Sequence, residues 1–299
     1  MTRRRRNNPK TKTPLAILGS DWHIREDTPV CRTDDFWAAQ LRKIKYIRRL
    51  QHKNKVPFIH GGDLFEHWKP SPFLLSFCMR WLPTKHGFWS IYGNHDLPQH
   101  NLDLVARSGL HTLESAGLVD ILPGTHWGQE PSEAHILILG GLRLLVWHVM
   151  TWEGERPWPG CEDPPAEQLL EDHPEADLIL TGHNHVPFLV EQDGRKIMNP
   201  GSVMRVKADQ QHHQPSVYLW YDDNSLEQVV LPHEQGVVTR EHLEARDASD
   251  PRRYQAFIED LRESAPEISF EANMNQFFSE HRASKKVREL VYASMEKEG

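Results

Sequence analysis

The stretch GFWSIYGNHD, residues 87–96, decides how the chain is read. Gly87 to Tyr92 is rich in aromatic and apolar residues, the composition of a buried strand. It breaks at Gly93 into an amide, an imidazole and a carboxylate: Asn94, His95 and Asp96. Polar groups placed directly after a buried strand need partners. Other strand-like runs supply them at their own ends. Leu15 to Leu18 leads into SDWH, with Asp21 and His23, and Pro57 to His60 leads into Gly61, Gly62 and Asp63. HILILGGLRLLVWHV, residues 135–149, is a hairpin signal around Gly140-Gly141 that ends near His148. Asp177 to Leu180 leads into TGHNH, with His183 and His185.

Helices fit between these runs. Asp34 or Asp35 caps a helix whose apolar side is Phe36, Leu41, Ile44, Ile47 and Leu50. Ser71 to Leu82 reads as a second helix with Pro72 in its first turn, and Ala166 to Glu171 as a short third. Strand, helix, strand in alternation predicts βαβ units and a largely parallel sheet. Further short strands are expected at 186–190, 196–198, 216–220 and 228–231, giving two packed sheets with helices outside. From about Val237 the pattern turns helical and charged. Tyr254, Phe257, Ile258 and Leu261 repeat at helical spacing after Asp250-Pro251, as do Phe270, Met274, Phe277 and Phe278, and then Val287, Leu290 and Val291. The expected organisation is a basic tail at 1–12, one domain at 13–236 and a helical C-terminal extension at 237–299.

The 299 residues are 38% hydrophobic and 26% charged, as in an ordinary globular protein. A net charge of -7 argues against a protein that coats nucleic acid by bulk charge. Two basic clusters stand out, Arg3 to Arg6 and residues 41–55, read as a solubilising tail and the solvated face of a helix, with phosphate contact as the alternative for the second. Cys31, Cys78 and Cys161 are widely spaced, which fits reduced thiols and a cytoplasmic location. No apolar run is long enough to span a bilayer, so no membrane contact is expected.

In open α/β sheets the functional crevice lies at the carboxyl ends of the strands. Asp21, His23, Asp63, Asn94, His148, His183 and His185 are therefore expected to converge. Carboxylates, imidazoles and an amide carbonyl are the ligand types of Mn²⁺, Fe²⁺ or Zn²⁺. These residues suffice for two ions if one carboxylate, Asp63, bridges them. Such a pair, about 3.5–4 Å apart, activates a shared water and clamps phosphate oxygens. Two divalent ions against two carboxylates and a hydroxide leave a positive remainder, which favours an anionic substrate. His95 stands apart as a proton donor to the leaving group, with Asp96 as the carboxylate that orients it.

SDWH, HGGD, GNHD, WH and GHNH, in that order, resemble the motifs of the calcineurin-like metallophosphoesterase superfamily, and NPGSVMR at 199–205 resembles a further element of its bacterial members. The resemblance implies an α/β fold, a four-layer αββα metallophosphoesterase sandwich, here with a short helical C-terminal appendage. It implies one metal held by Asp21, His23, Asp63 and His185, a second held by Asp63, Asn94, His148 and His183, and His95 as the catalytic histidine. HGGDLFEHWKPSP looks like the nuclease branch, the Mre11/SbcD-type DNA repair exonucleases, and SDWHIREDTPVCRTDDF followed by a basic helix resembles compact versions of such enzymes encoded by phages. That implies phosphodiester hydrolysis of DNA, two divalent ions, Mn²⁺ before Fe²⁺ or Zn²⁺, and an SbcC/Rad50-like ATPase partner docked on the C-terminal helices; a homodimer is a further expectation. GDLFEHW is also similar to UDP-2,3-diacylglucosamine hydrolases, but those carry arginine where this chain has His95. Hydrolysis of a small phosphoester or pyrophosphate is thus the alternative, and a non-catalytic scaffold a third reading. Arg205 is expected to reach a phosphate, and Trp152 and Trp158 to form a lip over the metals.

Overall fold

The computed structural model describes residues 12–82, 84–158 and 160–241, with Phe278, Lys285 and Arg288. The chain divides into two compact units, residues 1–157 with 161–239, and residues 158–160 with 240–299. In the second, Phe278 is buried and its carbonyl accepts a hydrogen bond from the Arg288 guanidinium at 3.2 Å. The basic tail to residue 11, and the expected C-terminal helices apart from those three residues, lie outside the described residues.

Among the described residues, all the strands belong to the first unit. β1 (Pro14–Gly19), β2 (Phe58–His60), β3 (Phe88–Ser90) and β4 (Asp120–Ile121) are parallel neighbours. On the far side of β1 the sheet continues through antiparallel β10 (Ser216–Tyr221) and β11 (Leu226–Val230), making six strands. A second sheet runs in the order β5 (Ile136–Leu139), β6 (Leu142–Trp147), β7 (Leu178–Thr181), β9 (Arg195–Asn199) and β8 (Phe188–Gln192). β6, β7 and β9 are parallel, and the edge strands β5 and β8 are antiparallel.

Alternation of side chains along the strands sorts the core into layers. Ala16 and Leu18 of β1 point between the sheets, where they join Ile59, Leu144, Val146, Leu178, Leu180 and Met198. Ile17 points the other way, with Phe58 and Phe88, onto Phe36, Ile44 and Ile47 of α1 (Phe36–Asn54) and Leu74 and Phe77 of α2 (Pro72–Trp81). Leu110 and Leu113 of α3 (Gly109–Ser115) complete that layer. On the outer face of the second sheet, Leu145, Ile179 and Ile197 bury Ala166, Leu169 and Leu170 of α4 (Ala166–Asp172). The order is helices, sheet, sheet, helices: an αββα sandwich. Each buried Leu, Ile or Phe contributes about 1.5–3 kcal/mol.

Local signals set the helix ends. Asp35 accepts from the Ala38 amide at 2.9 Å, and Ser71 accepts from Leu74 at 3.1 Å with Pro72 following it. α1 stops at Lys55, which adopts a left-handed conformation with φ 59°. Cys31, Cys78 and Cys161 are free and buried. Among the described residues no helix is long and apolar enough to cross a membrane.

Candidate metal centre

The chain leaves β1, β2, β3, β6 and β7 at one edge of the sandwich, and the turns after these strands carry one polar cluster. Two separate triads place their ligand atoms within 4.8 Å of one another: Asp21 with His23 and His185, and Asp63 with His148 and His183. A third, overlapping group is His23, Asp63 and His95. His23 Nε2 and His185 Nε2 are 2.9 Å apart, and lie 3.8 and 3.6 Å from Asp21 Oδ1. Asp63 Oδ2 stands between the triads, 3.7 Å from His23 Nε2 and 3.4 Å from His148 Nε2. Asn94 Oδ1 lies 3.1 Å from His148 Nε2 and 2.8 Å from His183 Nδ1.

The backbone bends sharply to achieve this. Asp21 (φ 53°), His23 (φ 46°), Asp63 (φ 58°) and His183 (φ 75°) all sit in the left-handed region. Side-chain-bearing residues avoid it, at a cost of about 1–3 kcal/mol each. Neighbouring loops hold the strained turns. The Asp21 amide donates to Gly62 O at 3.0 Å, His23 N to Asp63 O at 3.1 Å, and Val203 N to Asp21 O at 3.2 Å. The His183 amide donates to Asp21 Oδ1 at 3.0 Å. The loops pass so close that a Cβ on Gly93 would fall 2.2 Å from Asp63 Oδ1.

Partners away from the cluster select which ring nitrogen faces it. His148 Nδ1 donates to Gly61 O at 2.7 Å, so Nε2 turns inward. His95 Nδ1 donates to Glu66 O at 2.7 Å, and the His95 amide donates to Asp63 Oδ1 at 2.8 Å. His23 Nδ1 lies 3.1 Å from Glu66 Oε2. Burial, helped by the neighbouring His148 and His23 charges, pushes His183 down to about 4 and His185 down to about 3. Burial opposes charge on His23 and His148 too, but the facing carboxylates outweigh it and raise them to about 10 and about 9. Cation binding therefore displaces protons from the site.

The donor set fits cations. Oxygen and imidazole atoms converge from both sides of Asp63, and Asp21 Oδ2 is buried with no hydrogen-bond donor. The two triads give the chain the capacity to bind two divalent ions.

Two site residues are engaged otherwise than expected. Asp96 does not orient His95. Its carboxylate accepts from the amides of Asp63 (2.9 Å), Gly93 (3.1 Å), Phe65 (3.2 Å) and Leu64 (3.3 Å), and so clamps the loop after β2. Burial and the Asp63 charge push it up to about 7. Burial also lowers His95, against the expectation that its neighbour would favour the imidazolium. Arg205 does not offer its head to a substrate phosphate. It is 1% exposed and its guanidinium donates to the carbonyls of Gln211 and Glu234. Trp152 ties its own loop, donating from Nε1 to Asp163 O at 3.0 Å.

Two residues that sequence reasoning missed are close by. Glu66 meets two histidines, its carboxylate lying 3.1 Å from His23 Nδ1 and its carbonyl accepting from His95 Nδ1. Its place three residues after Asp63 was the available signal. Trp127 stacks on His183 at 4.6 Å, from a segment with no motif of its own.

Residues 16–222 match the calcineurin-like phosphoesterase superfamily domain. Over 212 residues, 58% of this chain, the sequence is 25% identical to a protein of Archaeoglobus fulgidus named DNA double-strand break repair protein Mre11. The match covers 46% of that protein, so the chain spans about half the length of this curated relative. Among solved structures, one titled as a novel archaeal phosphodiesterase is 14% identical with a TM-score of 0.40, covering 72% of this chain and 99% of its own. A Thermotoga maritima protein solved by NMR is 17% identical with a TM-score of 0.34, covering 73% of this chain and 100% of its own.

Proposed function

The chain belongs to the calcineurin-like phosphoesterase superfamily and is a metal-dependent phosphoesterase, and from that premise we propose that it is a DNA nuclease, hydrolysing phosphodiester bonds with two Mn²⁺ ions. The observation that carries this reading is the placement of His95. Its amide holds Asp63, the carboxylate between the two triads, and its Nδ1 proton is committed to the Glu66 carbonyl. That leaves Nε2 as the atom that takes up a proton and passes it to the leaving group, and the buried ring, whose pKa is lowered, is a stronger acid once protonated. A proton donor matters most when the leaving group is a poor one, such as the alkoxide of a sugar in a nucleic acid backbone. The partial similarity to an Mre11 protein points the same way.

In this reading Asp21, His23, Asp63 and His185 hold one ion, and Asp63, Asn94, His148 and His183 the other. Two such ions supply Lewis acidity and a nucleophile at neutral pH. The Glu66 carbonyl fixes the ring of His95, its carboxylate faces His23 Nδ1 at 3.1 Å, and Asp96 fixes the loop that presents Asp63.

The test is Mn²⁺-dependent hydrolysis of labelled single- and double-stranded DNA beside bis-p-nitrophenyl phosphate, with His95→Asn as control. DNA cleavage that is lost in the variant is expected. Cleavage of the small diester alone would transfer the site to a small phosphoester or pyrophosphate. A metal-loaded protein with neither activity would make it a scaffold.

A further inference from the structure

Residues 36–62 and 67–95 contain ten of the 35 lysines and arginines of the chain and none of its 42 acidic residues. These segments comprise α1, α2 and the strands that follow them. Folding concentrates much of this charge at one place. Arg48 Nη1 donates to the carbonyls of Arg80 (3.4 Å) and Trp81 (3.2 Å), strapping α1 to the end of α2. Lys45 Nζ lies 4.6 Å, and the Arg80 guanidinium 5.5 Å, from the centre of the same indole ring, that of Trp81. The His52 and His86 rings meet at 5.5 Å, and His86 Nε2 has no hydrogen-bond partner.

Arg42 is paired with Glu234 at 2.9 Å, but Lys45, Arg49, Lys53, Lys55, Arg80 and Lys85 make no ion pair among the described residues. Helix dipoles explain part of this, because cations are favoured in a last turn. They account for Lys53 in α1 and Arg80 in α2, but not for Lys45, Arg49 or Lys85, which lie outside those last turns. Like charges gathered without a counter-charge are a cost to the folded chain unless an anion meets them.

Connectivity places the patch. α1 runs into the amino end of β2, and α2 into the amino end of β3, whereas the metal triads lie past the carboxyl ends of the same strands. Each of these three-residue strands rises about 10 Å. The patch therefore cannot hold the phosphate undergoing hydrolysis. It suits a polymer with many phosphates, and duplex DNA carries one per about 1.7 Å of axis.

We infer that the C-terminal ends of α1 and α2 form an exosite for the phosphate backbone of duplex DNA, anchoring a long substrate away from the metal centre. This rests on the nuclease reading above. The test compares the full-length protein with Arg49→Gln/Lys53→Gln/Lys85→Gln, using a labelled 30-base-pair duplex, bis-p-nitrophenyl phosphate and phosphatidylserine vesicles. Each lost phosphate contact removes about 0.9 from the slope of log affinity against log salt. The triple variant should flatten that slope by about 2–3 units and weaken duplex binding by at least about tenfold at 0.1 M salt. Arg49→Gln alone should flatten it by about 0.9. KM for duplex cleavage should rise with kcat unchanged, and hydrolysis of the small diester, which also reports on folding, should equal wild type.

An unchanged salt slope in both variants overturns the exosite, as does wild-type protein that binds the vesicles but not the duplex. DNA cleavage with wild-type KM in the triple variant would sink the exosite and leave the nuclease reading standing. Variant-sensitive duplex binding by a protein that hydrolyses no DNA would do the reverse.

Discussion

The two oxygens of Asp63 have different partners, since Oδ1 accepts from the His95 amide while Oδ2 faces His23 and His148. Asp63→Asn keeps the shape but removes the charge between the triads. Metal content measured by mass spectrometry should fall from two ions to below one per chain, and retention of both ions would refute the bridging role. Asp96 is a different case. Four amides converge on its carboxylate, and Asp96→Asn would set an N–H donor against some of them. The expected loss is about 1–3 kcal/mol, read as a lower urea midpoint; wild-type stability would show the clamp to be dispensable. His95→Asn should keep both ions and slow substrates with poor leaving groups by about 10²–10⁴-fold. Equal loss on p-nitrophenyl esters would exclude His95 as proton donor. The residues that converge were legible because each follows a strand-like run, and three of them, Asp63, Asn94 and His183, come directly after a glycine. Asp96 was not: adjacency to His95 in sequence does not state where either side chain points, and in the 3-10 turn Asn94–Asp96 the two find separate partners. Arg205 misled for a similar reason, since a cation near a motif reads as a phosphate contact until its burial is known.

At the scale of elements, the site depends on strands that end together and on loops that bend immediately afterwards. The strands, the Gly140-Gly141 hairpin and the capped helices α1 and α2 follow from hydrophobic period and end residues. β4, with two residues, is too short for a period to show. β8 begins at Phe188, later than expected, and leaves Val186 65% exposed in the loop after His185. The left-handed ligands carry no signature either, because Asp and His enter that region only at some positions and their identity does not say which. Gly93→Ala tests how closely those loops fit. Its Cβ would lie 2.2 Å from Asp63 Oδ1 and 2.4 Å from the Asp63 amide, and backbone cannot swing aside as a side chain can. Isothermal titration should show weakened Mn²⁺ binding, with a lower Tm. Wild-type affinity would mean that the loops after β2 and β3 move apart without consequence for the site.

Across the whole molecule, charge is sorted as sharply as hydrophobicity. Carboxylates are withheld from α1 and α2, and one cation of that region, Lys43, is folded inside, 1% exposed, with the sulfur of Met204 at 3.7 Å as its polar contact. Burial, aided by the Arg32 and Arg205 charges, lowers its ammonium from 10.5 to about 7. Below the folded value both folded and unfolded chains carry the proton, and the folded chain bears the full penalty of a buried charge. Between about 7 and 10.5 the unfolded chain binds more protons than the folded one, so this group makes stability rise with pH. Above 10.5 it is neutral in both states and contributes nothing. Lys43→Met replaces the ammonium with an apolar chain of similar length. At roughly 1.4 kcal/mol per unit, and discounted for relaxation around the buried amine, it should stabilise the fold by about 2–4 kcal/mol near pH 6.5. The gain should shrink steadily toward pH 10. Urea unfolding of both proteins at pH 6.5, 8 and 9.5 reads this directly. A gain independent of pH would assign the effect to packing, and a loss at pH 6.5 would show that the ammonium is satisfied where it lies.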